Sequence, residues 1–150
     1  MSFPRGRKFT TMQFQIITPE KVVSSDDVEQ VTLPTEAGEI TILPKHIPLI
    51  TVLKPGELRY KKSGEEFSLA VSGGFVEIRE NGSVVILADT AEHAREIDLT
   101  KAQEAHDRAA KLMSEARHHE DVDYAALQTK IEKELARLRV ANKYRKIPNK

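Results

Sequence analysis

Residues 38–51 read GEITILPKHIPLIT and decide how the surrounding chain folds. The isoleucines before the first proline alternate with polar residues, which is typical of a half-buried strand. Pro44 and Pro48 then enclose His46, and because proline fixes φ at about −65° and lacks an N–H, this segment cannot lie inside a sheet. A second apolar run begins at Leu49. The stretch therefore predicts a strand, a stiff corner and a second strand, and such corners are common contact surfaces.

The same period of two extends outward from this stretch, from Gln13 to about Thr90. Short apolar runs are separated by turn signals at Ser25-Asp26-Asp27, Pro55-Gly56, Ser63-Gly64, Gly73-Gly74 and Asn81-Gly82. Short strands at this spacing predict an all-β sandwich or flattened barrel.

From Asp98 the apolar period changes to that of a helix, and Asp98 is well placed as its N-cap. The first stripe consists of Leu99, Ala102, Ala105, Ala109, Leu112 and Ala116. A second helix is predicted to begin near Asp121 or Asp123, with the stripe Tyr124, Leu127, Ile131, Leu135, Leu138 and Ala141. The two form an α-helical antiparallel hairpin. Each helix buries only one stripe within such a hairpin, so we expect it to need a further partner surface.

Composition excludes several classes of protein. The 23 Lys and Arg balance the 23 Asp and Glu, which argues against a nucleic-acid binder. There is no cysteine, and no apolar run approaches the about 20 residues that span a bilayer. We therefore predict a soluble, cytosolic protein without direct membrane insertion. The predicted organisation is a tail or extended start over residues 1–11, a β-sandwich over 12–92 and the hairpin over 93–150.

Motifs that carry chemistry are absent from the sequence, which has no phosphate loop, nucleophile elbow or HExxH. The glycines of VSGGFVEI (residues 71–78) precede a strand, which favours a turn or bulge over an anion cradle. His118 and His119 could belong to a metal site, but a solvated loop between helices is favoured, and we predict no metal. His46 either packs within its corner or faces a partner. We predict no catalytic residue.

Several motifs together resemble one family. GEITILPKHIPLIT is similar to the G-x-L-G-I-x-x-x-H-x-P-L-x-T signature of the epsilon subunit of bacterial F-type ATP synthases, which corresponds to the mitochondrial delta subunit, with Thr41 in place of the second glycine. The resemblance continues through Lys54-Pro55-Gly56, VSGGFVEI, SVVILADTAE, EDVDYAAL and ARLRVAN. It spans Met12 to about Arg145 in the correct order.

This resemblance implies a ten-stranded β-sandwich followed by the hairpin. It also implies a non-catalytic subunit of the central rotor stalk that couples the gamma subunit to the c-ring for proton-driven ATP synthesis. Such a subunit is peripheral, on the cytoplasmic face of the bacterial cell membrane. The implied c-ring-facing turn is Glu36, Ala37, Gly38 and Glu39, and the implied gamma and c-ring interface is Pro44, His46 and Pro48, a corner expected to brace that turn. The alternatives are a free-standing β-sandwich adaptor with a coiled arm and, least favoured, a β-sandwich enzyme.

The hairpin carries a second implied activity. In bacterial relatives it folds down on the sandwich or extends along gamma, where it contacts the catalytic alpha and beta subunits and inhibits ATP hydrolysis. Residues 130–150 hold eight Lys or Arg and two Glu, a net charge of +6. A basic arm suits an acidic surface, although a solvated helix end that complements the helix dipole explains it equally well. The implied arm is Lys130, Lys133, Arg137, Arg139, Lys143 and Arg145.

Some members of the family bind ATP in the folded hairpin through a motif I/L-D-x-x-R-A. The motif corresponds here to Ile97, Asp98, Lys101 and Ala102. The resemblance of ARLRVAN to the second helix of the family adds Lys133 and Arg137, and Arg108 is a further candidate for this site. Lys101 and Lys133 replace arginines, and lysine lacks the planar fork that arginine presents to phosphate. The resemblance thus implies no required cofactor and at most weak regulatory ATP binding. The alternative is that Asp98 acts only as an N-cap.

Overall fold

The computed structural model describes residues 10–116 and 123–145. This part of the chain contains ten strands, a short 3-10 helix at Ala94–Glu96 and two α-helices. The strands are β1 Met12–Ile17, β2 Val22–Val28, β3 Gln30–Thr35, β4 Gly38–Ile42, β5 Leu49–Leu53, β6 Gly56–Lys62, β7 Glu65–Val71, β8 Gly74–Ile78, β9 Val84–Ala88 and β10 Ala91–His93. The helices are α1 Leu99–Ala116 and α2 Tyr124–Arg145.

The strands form two layers that face each other. The first sheet has the order β10-β7-β6-β3-β4, and the second has the order β5-β8-β9-β1-β2. The sheets are joined where β3 pairs with β5 at Thr35 and Leu53. Among the described residues the strand pairs are antiparallel, except that β1 is parallel to β9, which places Phe14 beside Val84. The predicted sandwich with a helical hairpin is confirmed.

The core lies between the two sheets and consists of side chains at alternate strand positions. Phe14 and Ile16 on β1, Leu58 on β6 and Leu69 on β7 are almost fully buried. The ring of Tyr60 lies 5.0 Å from that of Phe14 and 5.1 Å from that of Phe67, measured between ring centroids. Aromatic contacts of this kind add to the stabilisation from buried area, so these rings fix how the layers pack.

One predicted turn is wrong. Ser25-Asp26-Asp27 lies inside β2, which pairs with β1 along its length. The polar residues are tolerated because β2 is the edge strand of its sheet, where charged side chains also discourage pairing with other chains. Asp26 accepts a hydrogen bond from Lys62 at 2.6 Å, and the Ser24 hydroxyl lies 3.4 Å from that of Tyr60.

The other predicted turns are confirmed, and several of their residues have a positive φ angle. Ser63 and Gly64 have φ of 53° and 78° and connect β6 to β7. Gly82 has φ of 86° between β8 and β9, where its N–H donates to the Arg79 carbonyl at 2.9 Å. Gly73 and Gly74 carry the chain from the first sheet to the second.

The hairpin is folded down on the sandwich, with α1 on α2 and α2 on β6 and β7. Asp98 caps α1 as predicted, accepting a hydrogen bond from the Lys101 N–H at 3.0 Å. Asp123 caps α2 in the same way, accepting from the Ala126 N–H at 3.0 Å. The predicted stripes are only partly buried, because Leu112 and Tyr124 are exposed toward the end of the hairpin that lies away from the sandwich. Near the sandwich α2 is buried on two sides, at Ala136, Leu138, Val140 and Ala141.

Candidate functional site

Residues 36–39, called the turn here, comprise the two residues between β3 and β4 and the first two residues of β4, and they lie at one end of the first sheet. Gly38 has φ of 109°, a conformation that L side chains rarely adopt, and its carbonyl accepts a hydrogen bond from the Thr35 hydroxyl at 2.7 Å. The side chains of the turn are all exposed. Arg59, on the neighbouring sheet surface, forms an ion pair with Glu39, and its Nη2 lies 3.3 Å from Glu39 Oε1. The turn is therefore an ordered, acidic and accessible loop.

Residues 44–48, the corner, lie at the opposite end of β4 from the turn. The expectation that the corner braces the turn is thus wrong, because β4 separates the two by about 14 Å at roughly 3.4 Å per residue. Lys45 occupies the left-handed region with φ of 68°. The ring of His46 donates from Nδ1 to the Ile47 carbonyl at 2.7 Å, which orients it within the corner. Pro44 and His46 are half-buried, and Pro48 is exposed.

An apolar row crosses the outer face of the second sheet. Strand register places one residue of each strand side by side, in the order Val22, Ile17, Leu87, Phe75 and Val52. Phe75 and Leu87 are 57% and 51% exposed, and Ile50, further along β5, is 73% exposed. A contiguous exposed apolar surface of this kind marks an interaction site.

The sequence interpretation did not identify this apolar row. Its signal was the run VVIL at residues 84–87, which contains no polar residue. An uninterrupted apolar run in a strand indicates that both faces of the strand are covered. In the structure Val84 and Ile86 face the core, whereas Leu87 faces outward.

The outer face of the first sheet has a different character, because it is polar and is covered by α2. The apolar contact with the hairpin is small. It joins Ala70 of β7, Ala94 and Ile97 of the segment before α1, and Ala102 of α1 to Leu138, Val140 and Ala141 of α2. Alanine side chains bury little area, so we expect hydrophobic burial alone to hold the hairpin weakly.

Arg137 reinforces this contact through the Arg137 clamp, which comprises Arg137, Glu92 and Glu134. Its Nη1 donates to Glu134 Oε2 at 2.8 Å, and its Nη2 and Nε donate to Glu92 Oε2 at 3.2 and 3.3 Å. Glu92 belongs to β10, so the clamp ties α2 to the sandwich. Burial acts to lower the pKa of Arg137, but the hydrogen bond to Glu134 and the charge of Glu92 outweigh it and raise that pKa. Arg137 therefore keeps its positive charge at neutral pH.

A second polar contact ties the C-terminal part of α2 to the first sheet. Lys143 Nζ lies 3.0 Å from Glu57 Oε1, and Arg59 Nη1 lies 2.8 Å from the same oxygen. Burial acts to raise the pKa of Glu57, but hydrogen bonds from Arg59, Lys143 and Ser68 outweigh it and lower that pKa. Glu57 is therefore an ionised carboxylate that forms ion pairs with two cations.

The residues predicted to bind ATP are only partly brought together. Ile97 and Ala102 are buried in the contact between the hairpin and the sandwich, and Lys101 and Arg108 are exposed on α1. Asp98 is confirmed as the N-cap of α1. Arg137, the remaining arginine that could face a phosphate, is engaged by the two carboxylates of its clamp.

The predicted basic arm is likewise divided. Arg137 and Lys143 are paired with carboxylates of the sandwich, Lys130, Arg139 and Arg145 are exposed, and Lys133 is half-buried. Within residues 10–116 and 123–145 no group of three or more His, Asp or Glu is placed to hold a metal ion. His118 and His119 lie outside the described residues. No helix in the described part of the chain is long and apolar enough to cross a membrane.

A family comparison accounts for this combination of sandwich and docked hairpin. The family model for the β-sandwich domain of the ATP synthase delta/epsilon chain matches residues 11–94. The epsilon chain of ATP synthase from Herpetosiphon aurantiacus is 45% identical over 130 residues, which cover 87% of this chain and 93% of that protein. The chain belongs to the ATP synthase delta/epsilon family. The predicted family is thus confirmed.

Other members of the delta/epsilon family agree along most of the chain. The epsilon chain from Chloroflexus aggregans is also 45% identical, over 87% of this chain and 91% of its own length. A chain in the mitochondrial ATP synthase of Euglena gracilis, solved with OSCP, F1 and the c-ring, has the same fold. It aligns with a TM-score of 0.69 at 24% identity, covering 94% of this chain and 86% of its own. The confirmed family is one of non-catalytic subunits.

Proposed function

We propose that this protein is a central rotor-stalk subunit that couples the gamma subunit to the c-ring for proton-driven ATP synthesis. The apolar row on the second sheet is the observation that carries this proposal, because Val22, Leu87 and Phe75 present exposed apolar side chains side by side, whereas the outer face of the first sheet is polar. A stiff two-layer scaffold with broad contacts suits the transmission of torque. The many close relatives named as ATP synthase epsilon chains support the same assignment.

Within this proposal the different surfaces of the sandwich have different partners. The apolar row binds gamma, because a permanent interface needs an apolar core. The corner with Pro44, His46 and Pro48 adds to that interface, since exposed Leu43 and Ile47 belong to the same loop and β5 continues from it. The acidic turn at residues 36–39 faces polar loops of the c-ring. The protein then lies at the cytoplasmic face of the bacterial membrane without entering it.

The hairpin is the regulatory element of the proposed subunit. Its docking surface combines a few alanines with ion pairs, and such a surface releases more readily than an apolar one. Release frees Arg137 and Lys143 from Glu92 and Glu57 and thereby restores the positive charge of the basic arm. The extended arm then contacts acidic surfaces of the catalytic alpha and beta subunits and inhibits ATP hydrolysis.

Co-purification tests the rotor assignment. Tagged full-length protein expressed in its own cells is expected to recover gamma, the c-ring and the catalytic subunits from detergent-solubilised membranes. Recovery of soluble proteins unrelated to ATP synthase would instead favour the alternative of a free-standing adaptor. A tagged protein of similar size that lacks the apolar row serves as the background control.

We further propose that the docked hairpin needs no cofactor, because carboxylates of the chain itself already neutralise Arg137. Replacing Arg137 with Gln is expected to weaken docking by about 1–3 kcal/mol, since Glu134 stays buried without its cation and the bond to Glu92 is lost. Hydrogen exchange over residues 136–141 should then accelerate at least about five-fold, as an undocked helix is only marginally stable. Millimolar Mg-ATP should leave the exchange of the unaltered protein unchanged.

The matched control for this variant is Arg139→Gln. Arg139 lies on the same helix but is exposed, and it forms no ion pair with a residue in the described part of the chain. Its replacement should change exchange by less than about two-fold. Strong protection by Mg-ATP in the unaltered protein, together with heat of binding in a calorimetric titration, would contradict the cofactor-free state.

A further inference from the structure

A continuous chain of ion pairs runs across the first sheet from the turn to α2. Arg59 contacts Glu39 of the turn at 3.3 Å and Glu57 at 2.8 Å, with Glu66 more distant at 3.9 Å. Glu57 in turn contacts Lys143 of α2 at 3.0 Å. We refer to Glu39, Arg59, Glu57 and Lys143 as the ion-pair chain. It joins two elements that are far apart in sequence and that have different proposed partners.

Arg59 and Lys143 share Glu57 at the centre of the ion-pair chain, so the two ends of the ion-pair chain depend on each other. Arg59 Nη1 and Lys143 Nζ both contact the same oxygen of Glu57, whose other oxygen accepts from the Ser68 hydroxyl at 2.8 Å. Two cations on one oxygen repel each other. The carboxylate of Glu39 offsets part of the charge of Arg59 and so reduces that repulsion.

Exposure shows which members of the ion-pair chain can move. Arg59 and Glu57 lie two residues apart on β6, and their side chains are 26% and 19% exposed. Glu39 and Lys143 at the two ends are 58% and 52% exposed. The middle of the ion-pair chain is therefore held by a strand, whereas one end lies on an accessible turn and the other on a helix that is docked by few contacts.

We propose that the ion-pair chain couples engagement of the turn to release of the hairpin. When a cationic group of a partner binds Glu39, Glu39 no longer neutralises part of the charge of Arg59. Arg59 then interacts more strongly with Glu57. Lys143 is then displaced and docking weakens. The identity of the partner rests on the proposed function, but the coupling between Glu39 and α2 is a property of this chain alone. The bistable element is the hairpin itself, as a physical coupling requires.

The test uses hydrogen exchange of the full-length isolated protein, read over residues 136–141. Glu39→Gln imitates loss of the counter-charge and is expected to accelerate exchange by about two- to five-fold, the range of a surface charge coupling. Glu36→Gln is the matched control. It removes the same charge from the same turn, and Glu36 forms no ion pair with any residue that the structure describes.

A double-mutant cycle separates the ion-pair chain from a general charge effect. Lys143→Gln alone should also accelerate exchange, and adding Glu39→Gln to it should then have no further effect. The proposal is overturned if Glu39→Gln behaves like Glu36→Gln, or if its effect is undiminished in the Lys143→Gln background. Either result leaves co-purification with ATP synthase untouched, and a failure of co-purification in turn leaves the measured coupling untouched.

Discussion

Replacing Phe75 with Asp is expected to abolish recovery of the protein with ATP synthase while its fold stays intact. The side chain is 57% exposed in the apolar row, between Leu87 and Val52, so the isolated sandwich loses little core packing. At an interface the same change places a charge in a desolvated apolar contact. Losses at such central aromatic positions are about 2–4 kcal/mol, which corresponds to roughly 30- to 1,000-fold weaker binding. Co-purification from membranes measures the loss, and circular dichroism checks the fold.

Leu112→Asp is the matched control for that prediction. Leu112 is 50% exposed and apolar, but it lies on α1 and not on the second sheet. Its replacement should leave co-purification at the level of the unaltered protein. Equal recovery of the Phe75 and Leu112 variants would show that the apolar row does not bind the stalk.

Replacing Gly74 with Ala is expected to destabilise the sandwich itself. Gly74 has φ of 152°, and a Cβ at this position would collide with the main-chain carbonyl oxygen of Leu87 on the paired strand. Neither atom can move without separating β8 from β9, the two strands at the centre of the apolar row. We expect the free energy of unfolding to fall by about 3 kcal/mol or more, and the melting temperature by roughly 6–12 °C. Thermal or denaturant unfolding of the purified protein measures both quantities.

Gly82→Ala separates the collision from backbone strain. Gly82 also has positive φ, at 86°, but a Cβ there would meet no atom within 4 Å. Strain alone should lower the free energy of unfolding by about 1 kcal/mol. If the free energy of unfolding fell by similar amounts in the two variants, the close packing of Gly74 on Leu87 would contribute nothing to stability.

The sequence was sufficient for the parts of the fold that local patterning controls. Alternation around Phe14, Leu58 and Leu69 predicted the core strands because each such side chain faces the opposite sheet. Asp98 predicted the start of α1, because its side chain is a typical N-cap and accepts a hydrogen bond from the first turn of the helix. The polar segment within β2 was misread as a turn, since a pattern does not reveal that a strand lies at a sheet edge.

The interfaces were harder to predict because they depend on register between distant strands. The apolar row joins Ile17, Leu87 and Phe75 only once β1 pairs with β9 and β9 with β8. The family resemblance places Arg137 in a basic arm or a nucleotide site, but its partner Glu92 belongs to a distant element of the sandwich.

The parallel pair of β1 with β9 also sets an order of events during synthesis. Phe14 leaves the ribosome early but has no strand partner on this side until Val84 has emerged, so the second sheet closes only when nearly the whole sandwich is available. The two helices emerge after that closure and dock on a sandwich that is already folded. A nascent chain that stops before α1 should therefore already fold as a sandwich, and the hairpin, the proposed regulatory element, is the last part of the chain to be added.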